Sequence, residues 1–180
     1  IWSILGQKTS SIGTLGLQTG NASQMPNLTT PDPIALHSAL ASLTKSGITH
    51  VVLEASSHGL DQKRIDGVKL SAAGFTNFSH DHLDYHGDAR SYLSAKVRLF
   101  SDILPPTATA ILNADNREYP IISKAFDGRK LTYGKKGKDL TINTARPTKL
   151  GVRLQLTVMG KDYDVDIPLF GMFQSYNVLC

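Results

Sequence analysis

Short apolar, β-branched runs alternate along this chain with stretches of helical periodicity, and that spacing limits the available folds more than any other feature. Thr9–Leu17 reads as a strand and turn, and Ile48–Ala55 (ITHVVLEA) as a strand of the buried type. Ala72–Phe78 (AAGFTNF), Ala108–Asn113 and Lys130–Gly134 read as further strands. Helices are predicted between them. Asp32 is an N-cap ahead of Pro33, then Leu36, Leu40 and Leu43 recur at helical spacing, and Gly47 closes the segment. Gly87–Phe100 and Arg117–Phe126 read as two more helices, Ile1–Leu5 as the end of another, and Gly20–Thr30 as a polar loop. Strands and helices in this order call for a parallel sheet covered on both faces.

After Gly134 the period changes. Val152, Leu154, Leu156 and Val158 alternate with Arg153, Gln155 and Thr157, and Tyr163, Val165 and Ile167 alternate with Asp162, Asp164 and Asp166. With Gly160-Lys161 between the runs, this predicts an antiparallel hairpin with one polar face, which Thr141–Ala145 could join. Gly171–Cys180 then opens a last helix. The expected fold is α/β: a mostly parallel sheet flanked by helices over residues 1–134, with a small antiparallel sheet over 139–168.

Composition narrows the function classes. With 41% apolar and 19% charged residues in 180, the chain is no disordered polymer. Nineteen Lys and Arg against 15 Asp and Glu give a net charge of +4, a mild excess that suits an anionic small ligand as well as a nucleic acid and decides nothing alone. No basic stripe interleaves with aromatics, so nucleic acid is not an expected partner. The lone Cys180 excludes an internal disulfide and a cysteine-based zinc site. No apolar run nears the roughly 20 residues of a membrane span, and no apolar segment follows Lys8 as a signal peptide requires. A cytoplasmic protein is expected. Because the chain opens on Ile1 and stops at Cys180 inside a helical pattern, it reads as a fragment.

Chemistry-bearing residues gather where α/β sheets place their sites, at the carboxyl ends of strands. VVLEASSHG (Val51–Gly59) ends a strand on Glu54, a hard oxygen donor suited to magnesium or to a salt bridge. FTNFSHDHLDYHGD (Phe75–Asp88) holds three His and three Asp. Its His80, His82, Asp84 and His86 also have the alternation of a binuclear zinc hydrolase. Lys96 falls with Ala89, Leu93 and Phe100 on the apolar stripe of its helix. Such a lysine either snorkels to the sheet edge or, deprotonated by desolvation, adds carbon dioxide to become a metal-binding carbamate. Thr29 and Thr30 precede the helix at Pro33, as caps or beside an anion. GKKGKD (Gly134–Asp139) has half the pattern of a phosphate loop but no Ser or Thr after its lysine, and reads as a solvated turn.

Taken together, TTPDP (Thr29–Pro33), EASSHGLDQKRIDG (Glu54–Gly67), FTNFSHDHLDYHGDARSYLSAK (Phe75–Lys96) and GMFQSYNVL (Gly171–Leu179) resemble, in order and spacing, the central domain of the MurE-type Mur ligases. The resemblance implies a P-loop NTPase-like central domain. It places the phosphate loop, a uridine-binding N-terminal domain and a C-terminal domain outside residues 1–180. It implies an ATP-dependent ligase of peptidoglycan precursor synthesis, joining meso-diaminopimelate or L-lysine to UDP-N-acetylmuramoyl-L-Ala-D-Glu through an acyl phosphate. Glu54 and His82 carry over as magnesium ligands and Lys96 as a carbamylated lysine holding a second magnesium, these three forming the catalytic set. Thr29, Thr30, Ser56, Gln62 and Arg64 carry over as contacts to the nucleotide-dipeptide, and Asn177 as a contact to the adenine side of ATP; Gln174 stands where the family often has Asn. Folylpolyglutamate synthase is the neighbouring alternative with the same acyl-phosphate chemistry. The fragment alone is expected to be inactive.

Overall fold

A computed structural model describes every residue except 21, 25–27 and 80–82; the expectations for His80 and His82 therefore lie outside the described residues. The chain divides into two compact units, one of Ile1–Val68 with His82–Arg98, the other of Lys69–Asp81 with Leu99–Cys180.

The first unit is built on a four-stranded sheet, order β3-β2-β1-β4. β1 (Thr9–Gly13) and β2 (Gly16–Thr19) form a tight hairpin, β3 (Ala22–Gln24) extends it, and β4 (His50–Leu53) lies parallel to β1 with Thr9 opposite His50 and Ile12 opposite Leu53. Between β3 and β4 runs α1 (Pro33–Lys45), where the Asp32 carboxylate accepts a bond of 3.0 Å from the Ala35 amide and Pro33 takes the first turn. Leu36 and Leu43 are buried, and Gly47, at φ +76°, turns the chain back into β4. Ile1–Leu5 forms one turn, closed by Leu5 N–H on the Ile1 carbonyl at 3.1 Å, and Gly6, at φ +76°, ends it with Gly6 N–H on Ser3 O at 3.0 Å and Gln7 N–H on Trp2 O at 2.9 Å, the bonding of a helix C-terminus.

β4 departs from expectation in its burial. Its β-branched run reads as a strand covered on both faces, yet it pairs with β1 alone among the described residues, and Val52 is 53% exposed. A run of Val and Ile reports strand propensity, not how many neighbours the strand will have.

α2 (Ser57–Asp61), α3 (Leu83–His86) and α4 (Ala89–Arg98) complete the unit. The predicted helix 87–100 starts two residues late. Gly87, at φ +77°, ends α3, and Asp88 accepts from the Ser91 amide at 2.7 Å to open α4. The buried residues of α4 are Tyr92 and Ala95, with Leu99 and Phe100 buried just beyond it, and Lys96, one turn from Tyr92, lies on that face half-buried, its Nζ 5.1 Å from the centre of the Tyr92 ring. Arg98 grips Asp66 with two bonds of 2.8 and 2.6 Å and the Leu60 carbonyl with a third of 2.9 Å. That hydrogen-bonded guanidinium holds the Asp66 carboxyl below its ordinary value.

The second unit carries a six-stranded sheet, order β10-β9-β8-β7-β6-β5. β5 (Ala72–Phe75), β6 (Thr109–Asn113), β7 (Arg129–Gly134) and β8 (Leu140–Thr148) run parallel, while β9 (Gly151–Val158) and β10 (Lys161–Ile167) return antiparallel. The expected strands thus divide between two sheets, and the predicted hairpin continues the parallel strands through β8 instead of standing as a sheet of its own. The hinge of this continuity is brief: β7 and β8 pair only at Tyr133–Leu140 and Gly134–Thr141. The α/β class itself is the expected one. Tyr133, Ile142, Val152, Leu154, Leu156, Ile167 and Leu179 form the core beneath the antiparallel part, as the alternation along β9 requires. The described helices of this unit are α5 (Tyr119–Lys124) and α6 (Gln174–Leu179), both shorter than predicted, and a π-helical turn at Leu99–Ile103.

The loop Gly134–Asp139 is not merely solvated. The amides of Lys135 and Lys136 donate to the Asp115 carboxylate at 2.6 and 2.9 Å, so the chain's own anion fills the cradle that a phosphate would need. Tyr176 of α6 donates to the same carboxylate at 3.0 Å, and burial, then this partner, push its phenol up from the ordinary value.

Candidate functional site

Parallel pairing brings the carboxyl ends of β1 and β4 to one edge, and the residue after each strand meets there. Glu54 follows β4 and donates its amide to Ile12 O at 2.8 Å. Its Oε2 accepts from the amide and the hydroxyl of Thr14, both at 2.9 Å. A side chain at Gly13 would approach that oxygen to 2.6 Å, so the hairpin needs glycine to pass the carboxylate. Glu54 Oε1 has no partner among the described residues. Thr14, unassigned by any motif, shares a hydroxyl–hydroxyl bond of 3.2 Å with Thr29.

Thr30 is the hub behind this carboxylate. It is fully buried at 0% exposure, and a side chain on Gly59 would collide with it at 2.7 Å. Its hydroxyl donates to Glu54 O at 2.8 Å and accepts from the amide and the hydroxyl of Ser56, both at 3.0 Å, which commits its proton and both lone pairs. The Ser56 hydroxyl in turn accepts from the Gly59 amide at 3.1 Å as N-cap of α2. The run ASSHG therefore folds around Thr30 and fixes the strand end bearing Glu54.

Arg64 and Gln62 lie on the turn that follows α2. Arg64 Nη1 donates to Thr30 O at 2.8 Å, while Nε and Nη2 both donate to Gln62 Oε1 at 3.1 and 2.5 Å. Gln62 Nε2 donates to the Tyr85 hydroxyl at 3.0 Å, and that hydroxyl donates to Asp61 at 2.8 Å. The Tyr85 ring lies 4.0 Å from the His58 ring and meets the edge of His86 at 4.8 Å; His86 packs 5.3 Å from Tyr92.

The structure thus brings together Thr29, Thr30, Glu54, Ser56, Gln62 and Arg64 within one unit. Lys96 belongs to the same unit, on α4, over the Tyr92 ring. Asn177 stands on α6 in the other unit, its amide donating to Gln174 Oε1 at 3.1 Å. His82 lies outside the described residues, as does His80. Of the zinc alternative, Asp84 and His86 are described; no group of three His, Cys, Asp or Glu capable of holding a metal occurs among the described residues. His86 Nε2 is buried without a partner among them. Thr14, Asp61 and Tyr85 are the residues that motif reasoning left unassigned. Tyr85 was within reach, since it stands inside DHLDYHGD.

The whole chain, residues 1–180, matches the model of the Mur ligase middle domain. The chain belongs to the Mur ligase middle-domain family. It is 46% identical over 188 residues to a protein of Caulobacter vibrioides named UDP-N-acetylmuramoyl-L-alanyl-D-glutamate--2,6-diaminopimelate ligase, covering 99% of this chain and 39% of that relative. A solved structure of a ligase of the same name superposes with a TM-score of 0.87 at 32% identity, over 98% of this chain and 37% of that one. An FPGS of L. casei matches 98% of this chain and 50% of its own, with a TM-score of 0.69 at 12% identity, a likeness of fold alone. The chain spans under two-fifths of the length of the curated relative that it matches.

Proposed function

We propose that this chain is the middle domain of an ATP-dependent ligase that joins a diamino acid, meso-diaminopimelate before L-lysine, to UDP-N-acetylmuramoyl-L-Ala-D-Glu. The observation that carries this reading is the network running from Glu54 through Thr30 to Ser56, Arg64 and Gln62 at the carboxyl ends of two parallel strands. The name of the Caulobacter relative supports it and favours diaminopimelate.

The chemistry proceeds in two steps. A carboxylate oxygen of the D-glutamate residue attacks the γ-phosphorus of ATP, and ADP leaves as the acyl phosphate forms. The amine of the diamino acid then adds to the acyl carbon, phosphate departs with the C–O bond electrons, and the nitrogen gives up a proton. Both steps bring anions together, so cations and fixed donors must stand between them. Glu54 offers a carboxylate oxygen with no partner among the described residues, which fits a magnesium ligand; we assign it that role together with His82 and Lys96, the last as its carbamate. Magnesium, when bound, supplies charge shielding between phosphate and carboxylate. Arg64 holds the acceptor substrate. Three of its five N–H groups are taken among the described residues, leaving one on each Nη to donate to a carboxylate or phosphate. Thr29 contacts the substrate beside Glu54, whereas Thr30 and Ser56 act by fixing the strand end. Asn177 meets the adenine. A cytoplasmic setting suits ATP and these nucleotide substrates, and no helix among the described residues is long and apolar enough to cross a membrane.

Phosphate release by the full-length ligase carrying this chain tests the reading. With ATP, magnesium and the nucleotide-dipeptide, release is expected to require diaminopimelate and to fall at least about a thousandfold in Lys96→Ala. Release with neither diaminopimelate nor lysine overturns the proposal.

A further inference from the structure

Two donors of one guanidinium, Nε and Nη2 of Arg64, share one acceptor, Gln62 Oε1. A glutamine amide is bipolar, and only one of its two orientations allows this. If it flipped, its NH2 group would face the guanidinium, donor against donor, and the two would repel. What selects the correct orientation lies on the far side of the amide. The Tyr85 hydroxyl has a single proton, and Asp61 takes it at 2.8 Å. The oxygen left facing Gln62 can only accept, so it receives Nε2–H at 3.0 Å and would reject a flipped amide oxygen. Thr30, Arg64, Gln62, Tyr85 and Asp61 are thus joined by hydrogen bonds of fixed direction, with Arg64 donating to Thr30 and Gln62, Gln62 to Tyr85 and Tyr85 to Asp61. The phenol ring packs on His58 of α2 at 4.0 Å and on its own helix neighbour His86 at 4.8 Å, so one other element holds the side chain that carries the hydroxyl.

We infer that Tyr85, anchored by Asp61, is a positioning residue for acceptor-substrate binding. Through Gln62 it holds the Nε–Nη2 edge of Arg64 and so presents the Nη1–Nη2 edge to an anionic group of the substrate. This rests on the ligase reading above, because it assumes that Arg64 meets the nucleotide-dipeptide. Without the relay the guanidinium alone orients the amide, the Nε2 side loses its fixed acceptor, and part of the ordering of Arg64 falls on substrate binding. ATP touches none of these residues in the proposed arrangement, so the effect belongs to one substrate alone.

The test is steady-state kinetics of the full-length ligase with Tyr85→Phe, which removes one oxygen and keeps the ring packing. KM for the nucleotide-dipeptide is expected to rise about tenfold, the scale of one lost hydrogen bond, with kcat within about twofold and KM for ATP unchanged. In a Gln62→Ala background the same substitution is expected to add nothing, because its effect passes through that amide. An unchanged KM in Tyr85→Phe, an equal rise in the Gln62→Ala background, or a loss confined to kcat or melting temperature overturns the inference. A wild-type enzyme that forms no product overturns the ligase reading itself, and this role with it.

Discussion

Thr30 shows how one side chain organises the candidate site without facing solvent. Its hydroxyl ties Glu54 O to the amide and hydroxyl of Ser56, and its carbonyl receives Arg64. Replacing it by valine keeps the volume and removes the hydroxyl, taking away the partner of the Glu54 carbonyl and of the Ser56 amide and one of the two bonds of the Ser56 hydroxyl. Thr30→Val is expected to lower the unfolding free energy by about 2–3 kcal/mol, measured by urea unfolding, while Thr30→Ser costs about 1 kcal/mol or less through lost packing. The motif TTPDP marks this residue as important, but spacing alone cannot say which way a hydroxyl points. The sequence pattern offers Thr29 and Thr30 as equals; burial separates them. Thr14 carried no signal at all, because a lone Thr in a hairpin turn becomes a Glu54 donor only once β1 and β4 pair.

Among the elements, α4 and the turn after α2 are joined by charge. Arg98 binds both carboxylate oxygens of Asp66 and the Leu60 carbonyl, and only 19% of the Arg98 side chain is exposed against 40% for Asp66. The Asp66 carboxyl lies below its ordinary value chiefly through the Arg98 hydrogen bond, so it stabilises the native state above the unfolded pKa. That stability is lost as pH falls through the lowered native value. Asp66→Asn is therefore expected to cost about 1 kcal/mol at pH 7, discounted for exposure, with the difference from wild type vanishing in acid below that value. Unfolding curves of both proteins across pH 2–7 check it. The same helix shows the limit of pattern reading. A stripe through Ala89, Leu93, Lys96 and Phe100 fits helical spacing and Phe100 is buried, but Gly87 and the Asp88 cap delay the start, and Tyr92 and Ala95 are buried as well, so the covered face is wider than the stripe. Lys96 lies on that face, half-buried, with its ammonium over the Tyr92 ring.

At the scale of the molecule, the α/β class and the hairpin at Gly160-Lys161 were legible, because strict alternation along β9 and β10 admits one pairing. The partition of strands into two sheets was not. Local runs declare strands, whereas sheet membership depends on which edges meet, and β4 with β1 is a pairing across nearly forty residues of chain. The family resemblance names Thr29, Thr30, Glu54, Ser56, Gln62 and Arg64, which lie together in one unit; the wiring from Asp61 to Thr30 is legible only in three dimensions. Glu54, Arg64 and Lys96 belong to one unit and Asn177 to the other. The central claim is that ATP activates the acceptor carboxylate, and oxygen transfer tests it most directly. The full-length ligase would be given UDP-N-acetylmuramoyl-L-Ala-D-Glu labelled with oxygen-18 in the reacting carboxylate, with ATP, magnesium and diaminopimelate. The acyl-phosphate route predicts one labelled oxygen in each phosphate released, because that oxygen bridges carbon and phosphorus before the amine expels it. Phosphate released without label would contradict the account.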